Sequence, residues 1–131
     1  MCLLPGCALT LNVFAVDDYA VGMFASSLNH TEDASFFTAR SNNYDHIFNN
    51  MTGFMEARFE NGSWAGQDAG WTEGDMWAYT FDVMQDIPGL IKLKGGNTKF
   101  VAFLDEHFDG GAYMHLPFIV MGIIHACCRS Q

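Results

Sequence analysis

Two helical patterns set almost end to end constrain the fold of this chain more than any other feature of its sequence. Between about 15 and 28, Val16, Tyr19, Ala20, Met23, Phe24 and Ser27 recur at helical spacing and predict one buried face. Asp17 and Asp18 stand at the start of this segment, where carboxylates favour the positive end of the helix dipole. From about 32 to 50, Phe37, Arg40, Tyr44, Ile47, Phe48 and Met51 mark a second stripe. Only Asn29 and His30 separate the two, with Thr31 as the expected N-cap and Glu32 and Asp33 in the turn that follows. So short a connection predicts antiparallel packing of two amphipathic helices.

The remainder extends this plan. After Gly53, the run Phe54 to Phe59 fits a short strand, and the stretch from 60 to 70 collects Asn, Gly, Ser and Asp and reads as a loop carrying Trp64. Asp86 is placed to cap a helix with Pro88 in its first turn and Leu90, Ile91 and Leu93 on its apolar side, stopped by Gly95-Gly96. Thr98 is the expected cap of a last helix, whose Phe100, Val101, Phe103, Leu104 and Phe108 form a wide apolar stripe. The chain has 131 residues, half of them hydrophobic, which is material for one core and one domain. The predicted class is mainly α, paired antiparallel helices with one short extended segment.

Charge narrows the function. Fifteen acidic residues against six basic ones leave a formal net charge of −9, the wrong sign for a nucleic-acid binder that must neutralise phosphates. Lys92, Lys94 and Lys99 read as a solvated rim. The apolar run Leu116 to Ile124 falls short of the ~20 residues a spanning helix needs, so no membrane span is expected. Residues 1–16 are apolar but lack a basic start and a cleavage pattern, and do not read as a signal peptide. The cysteines lie only at the ends, Cys2 and Cys7 against Cys127 and Cys128, without a redox or zinc CxxC spacing. Sequons at Asn29, Asn50 and Asn61 lean toward a secretory route.

The segment from Trp71 to Phe81 carries the chemistry. Glu73 stands there among Trp71, Trp77, Tyr79 and Phe81, with Gly74 and Asp75 beside it. Sugars offer apolar C–H faces that stack on aromatic rings, and a carboxyl held between such rings is desolvated, which moves its pKa toward the range a general acid needs. Glu73 is the candidate catalytic residue. The alternative from local chemistry is that the aromatic residues are core and Glu73 caps a turn.

Several ordered motifs resemble the catalytic domain of glycoside hydrolase family 92. They are Asp17-Asp18-Tyr19-Ala20-Val21, then Thr31-Glu32-Asp33-Ala34, then Arg40-Ser41-Asn42-Asn43-Tyr44, then Thr72 to Phe81, then Asp86-Ile87-Pro88-Gly89-Leu90-Ile91, and Gly95-Gly96. The resemblance covers residues of about 10–111 and leaves an unmatched tail, 112–131. It implies a partial catalytic domain, a fragment of an (α/α)6 toroid. The implied activity is that of a calcium-dependent, inverting exo-α-mannosidase on α-1,2 and related linkages of mannose-rich glycans. It places the general acid at Glu73 and substrate contacts at Trp77, Tyr79, Asp86, Gly95 and Gly96. Core packing for Trp77 and Tyr79, a helix cap for Asp86 and a C-cap for the glycines are the alternatives. Asp17 and Asp18 match a family pair near a helix start.

Departures qualify the resemblance. The family continues past the position of Gly111 with a His-containing segment, Asn-Glu-Pro and further His residues that help build the calcium and mannose site. This chain reads Ala112-Tyr113-Met114-His115-Leu116-Pro117-Phe118 instead, so no metal-ligand motif is present. The carboxylates that serve as general base also lie farther along in the family. The expectation is a fragment inactive alone, with apolar edges that promote self-association. A non-catalytic glycan-binding module using Trp64, Trp71 and Trp77, or a structural helical fragment, are the other readings.

Overall fold

The computed structural model describes residues 7–72 and 74–109, with side chains from residue 11 onward. Glu73, Cys2, Cys127, Cys128 and the tail after Gly111 therefore lie outside the described residues. Helix α1 runs Cys7–Ser27 and α2 Thr31–Arg40. A 3-10 turn, Asn43–Ile47, leads into strands β1, Phe48–Asn49, and β2, Phe54–Met55. Helix α3, Met76–Thr80, and a 3-10 turn, Met84–Asp86, precede α4, Ile87–Leu93, and α5, Asn97–Asp109.

Helices α1 and α2 form the expected antiparallel pair. Asp18 meets Arg40 at 3.1 Å, and a Cβ added at Gly22 would stand 2.9 Å from the Thr38 hydroxyl, so the helices approach where a side chain is missing. The turn between them is tighter than expected. Asn29 adopts φ +61°, the His30 N–H reaches back to the Ala25 carbonyl (3.0 Å) and the Asn29 N–H to Ser26 (3.1 Å), a Schellman ending. Because that motif needs no spacer, α2 starts at Thr31 with His30 at the cap position, and Thr31 is inside the helix rather than capping it. Thr98 is likewise inside α5, which opens at Asn97.

Further expectations are corrected. Helix α1 opens at Cys7 rather than near residue 15, so Asp17 and Asp18 lie in its middle and not at its positive end. The second helix ends at Arg40, not near residue 50, because Ser41 and Asn42 turn the backbone and Tyr44, Ile47 and Phe48 reach the core from the 3-10 turn and β1. The Ser41 hydroxyl donates to the Thr38 carbonyl at 2.8 Å, one of the carbonyls a continuing helix would use. The buried face of α1 is also not the predicted one. Asn12, Ala15, Asp18, Gly22 and Ala25 face inward, whereas Tyr19, Met23 and Phe24 are exposed.

The extended segment is a pair of small hairpins. Strands β1 and β2 are antiparallel, with Phe48 opposite Met55 and Asn49 opposite Phe54. The chain then pairs Ala57 with Ala65 and Phe59 with Ser63, so part of the predicted loop returns as a second hairpin with Trp64 opposite Arg58. The core gathers Met55 and Phe54 with Phe81, Leu90 and the α5 residues Phe100, Phe103 and Leu104. The apolar stripe of α5 is buried at Phe100, Phe103 and Leu104 and half-buried at Val101 and Phe108, as its spacing predicted. No helix of the described residues is long and apolar enough to cross a membrane.

Candidate functional site

The residues on either side of Glu73 are held by α3. Asp75 is extended (φ −134°) and its side chain accepts the Ala78 N–H at 3.0 Å, an N-cap that fixes where the helix begins. Two residues apart on this single turn, Trp77 and Tyr79 project to different sides. Tyr79 reaches back over the loop, its hydroxyl donating to the Thr72 carbonyl at 2.6 Å and its ring lying parallel to Trp71, 5.2 Å between centroids. A Cβ on Gly74 would stand 2.7 Å from the Tyr79 ring, so this residue must be small. The Trp71 indole N–H donates to the Gln67 carbonyl at 2.8 Å and ties the assembly to the preceding loop. Thr72 and Gly74, the neighbours of Glu73, are thus both clamped by Tyr79.

Trp77 turns inward. Its ring stacks on Phe103 (4.8 Å) and on His107 (5.6 Å) and meets the edge of Phe54 (4.8 Å). Trp64 lies under the Arg58 guanidinium, 4.6 Å from ring centroid to charge. Each of the three tryptophans thus has a different partner on its face, and the structure does not assemble Trp64, Trp71 and Trp77 into one platform.

Asp86 and the glycines have roles in the backbone. Asp86 accepts the Gly89 N–H at 2.9 Å through one oxygen, which is the predicted helix cap, and the Tyr44 hydroxyl at 2.7 Å through the other. Burial, then the Asp86 hydrogen bond and charge, hold the Tyr44 phenol well above its ordinary range. Gly95 and Gly96 adopt φ +90° and +99°, and their N–H groups return to Lys92 (3.0 Å) and Ile91 (2.9 Å), closing α4. The Gly96 carbonyl in turn accepts the Phe100 N–H at 3.0 Å and starts α5.

Two ionisable groups, Asp82 and His107, escaped the sequence reading, and Lys94, expected on a solvated rim, is instead half-buried with its ammonium turned inward. Burial raises the Asp82 carboxyl above the usual carboxylate range. Burial lowers His107, with Asp75 opposing, and its Nδ1 is buried without a hydrogen-bond partner among the described residues. Burial lowers Lys94 to about 8, with Glu106 opposing; its ammonium donates to the Gly53 carbonyl at 2.7 Å and sits 2.8 Å above the Phe103 ring. His107 follows Phe103 by four residues, a spacing that could have found it on the inner face of α5, although it was not among the expected stripe residues. Lys94 and Asp82 gave no local signal, since their burial comes from distant elements.

The described residues hold no group of three His, Cys, Asp or Glu side chains that could bind a metal ion. A hard cation such as calcium takes about six to eight oxygen ligands. The described residues therefore do not fit a calcium site by themselves.

The profile of the glycosyl hydrolase family 92 catalytic domain matches residues 7–124, past Gly111 into the segment outside the described residues. Among curated proteins, the chain is 29% identical to an uncharacterized secreted glycosidase of Arthroderma benhamiae, over 73% of this chain and 16% of that protein. Among solved structures, the chain superposes on a family 92 inverting mannosidase of Bacteroides thetaiotaomicron with a TM-score of 0.76 at 24% identity, covering 97% of this chain and 18% of that one. The chain thus spans under a fifth of the length of either relative. Its mainly helical fold is a part of the (α/α) toroid of that catalytic domain. With a profile match over nearly its whole length, the chain belongs to glycosyl hydrolase family 92.

Proposed function

We propose that this chain forms the acid-bearing part of an inverting α-mannosidase site acting on mannose-rich glycoprotein glycans, with Glu73 as the general acid. The observation that carries the reading is the contact of Tyr79 with Thr72 and Gly74, which holds both neighbours of Glu73 just ahead of α3. Family membership and the inverting mannosidase relative support the reaction class. The substrate contacts carried over are Trp77, Tyr79, Asp86, Gly95 and Gly96, each of which also has a role within the fold. An inverting enzyme needs a second carboxylate about 6.5–9.5 Å from the acid to activate water. That base and the calcium ligands of the family belong to sequence outside the motifs of this chain, so residues 1–131 alone do not turn over. The secretory lean of the three sequons, together with the secreted glycosidase relative, supports a route through the secretory pathway. Isolated, the chain self-associates through the exposed apolar outer face of α1.

In this scheme Glu73 protonates the leaving glycosidic oxygen. Replacing it with Gln in the full-length gene product lowers hydrolysis of an α-1,2-mannobiose by about 10²–10⁴-fold. Hydrolysis of a dinitrophenyl α-mannoside, whose leaving group needs no proton, is largely spared. An equal loss on both substrates refutes the acid role. Calcium-dependent mannose release by the purified 131-residue chain, abolished by Glu73→Gln, refutes its inactivity alone.

A further inference from the structure

The three sequons are not equivalent in the fold. Asn29, Asn50 and Asn61 are all exposed. Asn29 is locked in the left-handed turn closing α1, and Thr31 belongs to the first turn of α2. In the second sequon the Thr52 hydroxyl is engaged by the carboxylate of buried Glu56, to which it donates. In the third, the Ser63 hydroxyl donates to the Asn61 side-chain carbonyl at 2.7 Å, and the Ser63 N–H reaches the same oxygen at 3.0 Å.

This third turn is built from local bonds. The Gly62 N–H reaches the Phe59 carbonyl (2.9 Å), the Phe59 N–H the Ser63 carbonyl (2.8 Å), and Arg58 donates to the Gly62 carbonyl (3.1 Å). Gly62 adopts φ +84°, a conformation that favours glycine. The hydrogen bonds that shape the turn itself span at most four residues. Arg58 also donates to the His46 carbonyl at 3.4 Å and ties the hairpin to the 3-10 turn before β1.

We infer that Asn61 is an N-glycosylation site of this protein, with the glycan standing on the tip of the Ala57–Ala65 hairpin. The donor is an oligosaccharide linked to a lipid through pyrophosphate. The Asn61 amide nitrogen forms a bond to C1 of the first sugar, the C1–O bond breaks with its electron pair leaving on the pyrophosphate, and the amide proton passes to a base of the transferase. The Asn61 carbonyl oxygen already accepts two hydrogen bonds in the turn, while its amide nitrogen has no partner among the described residues. The attached glycan stands next to Phe59, an apolar ring 58% exposed. The inference rests on the secretory route proposed above and not on the hydrolytic reading.

The test is cell-free translation with endoplasmic-reticulum microsomes, the whole chain being placed behind a cleavable signal peptide that supplies the route. Site occupancy is read by mass spectrometry of the Asn61 peptide after endoglycosidase treatment. The wild-type chain and the Asn29→Gln/Asn50→Gln double variant carry the glycan on Asn61, Asn61→Gln and Ser63→Ala lose it, and Ser63→Thr keeps it. An unmodified Asn61 peptide beside a glycosylated control protein overturns the inference, as does a higher occupancy at Asn29 or Asn50. Neither result depends on mannoside hydrolysis, so failure here leaves the hydrolytic reading untouched.

Discussion

Replacing Asp86 with Ala removes two hydrogen bonds of different kinds at one site. Loss of the cap on the Gly89 N–H costs about 1 kcal/mol. Tyr44 is only 3% exposed, so its hydroxyl is left without an acceptor at a cost of about 1–3 kcal/mol. The sum is a loss of about 2–4 kcal/mol of unfolding free energy. Tyr44→Phe removes only the shared bond and leaves a half-buried carboxylate that water reaches, a loss of about 1 kcal/mol. In the double variant no hydroxyl is stranded, so the two losses overlap by about 1–2 kcal/mol. Gly89→Ala extends the test: at an ordinary helix position it gains about 1 kcal/mol. Here the added methyl meets Asp86 Oδ2 and the Tyr44 hydroxyl, and the change destabilises. Urea unfolding followed by circular dichroism, without any sugar, measures all four proteins. Additivity of the Asp86 and Tyr44 losses to within about 0.5 kcal/mol, or a stabilised Gly89→Ala, refutes the network.

Thr80→Val strands the buried Met55 N–H that the Thr80 hydroxyl accepts at 2.9 Å, costing about 1–3 kcal/mol in the same assay, while Thr80→Ser costs less. Alkaline unfolding separates two groups. Lys94 has its folded pKa lowered to about 8, so between pH 8 and its ordinary 10.5 the unfolded chain binds more protons and stability rises with pH, a rise that Lys94→Met removes. Tyr44 is shifted upward from its ordinary 10, so above pH 10 the folded state keeps a proton the unfolded state loses and stability falls; Tyr44→Phe flattens that fall. Sedimentation velocity of the chain shows concentration-dependent association, which Phe24→Glu on the exposed face of α1 weakens without loss of helicity.

How much of the site was legible depends on the range of the interactions. The Asp86 cap and the Gly95-Gly96 stop are set by residues three to five apart, and the sequence announced both. The inner stripe of α5 was equally plain, because large apolar residues alternate there with Lys99, Asp105 and Glu106. Tyr44 bonding Asp86 is a contact across 42 residues, and nothing in either segment names the other. The same holds for Lys94, whose ammonium seeks the Gly53 carbonyl 41 residues away. The inward turn of Trp77 and the backward reach of Tyr79 follow only once α3 is known to be a single turn starting at Asp75.

Helix α1 misled the periodicity argument for a reason that bears on the larger domain. A spacing argument needs contrast between two faces, and α1 has little: Ala15, Gly22 and Ala25 line the face toward α2 and the core, while Val13, Phe14, Val21, Phe24 and Leu28 line the opposite side. Choosing the larger apolar residues as the buried set picks the wrong side, because the close approach at Thr38 and Ala34 selects small ones. The face left over is not suited to water, with Phe24 66% exposed and Phe14 52%. A helix apolar on both sides belongs in an interior. In a toroid of helical pairs, each pair packs against a neighbour on either side, and this chain matches only 18% of the solved mannosidase. The outer face of α1 is thus an exposed apolar surface. The core around Phe54, Phe81 and Phe103, in contrast, closes within the chain and supports α3 from beneath. The segment through Trp71 and Thr72 is accordingly held on the side of this core by Tyr79, while the exposed large apolar side chains concentrate on α1.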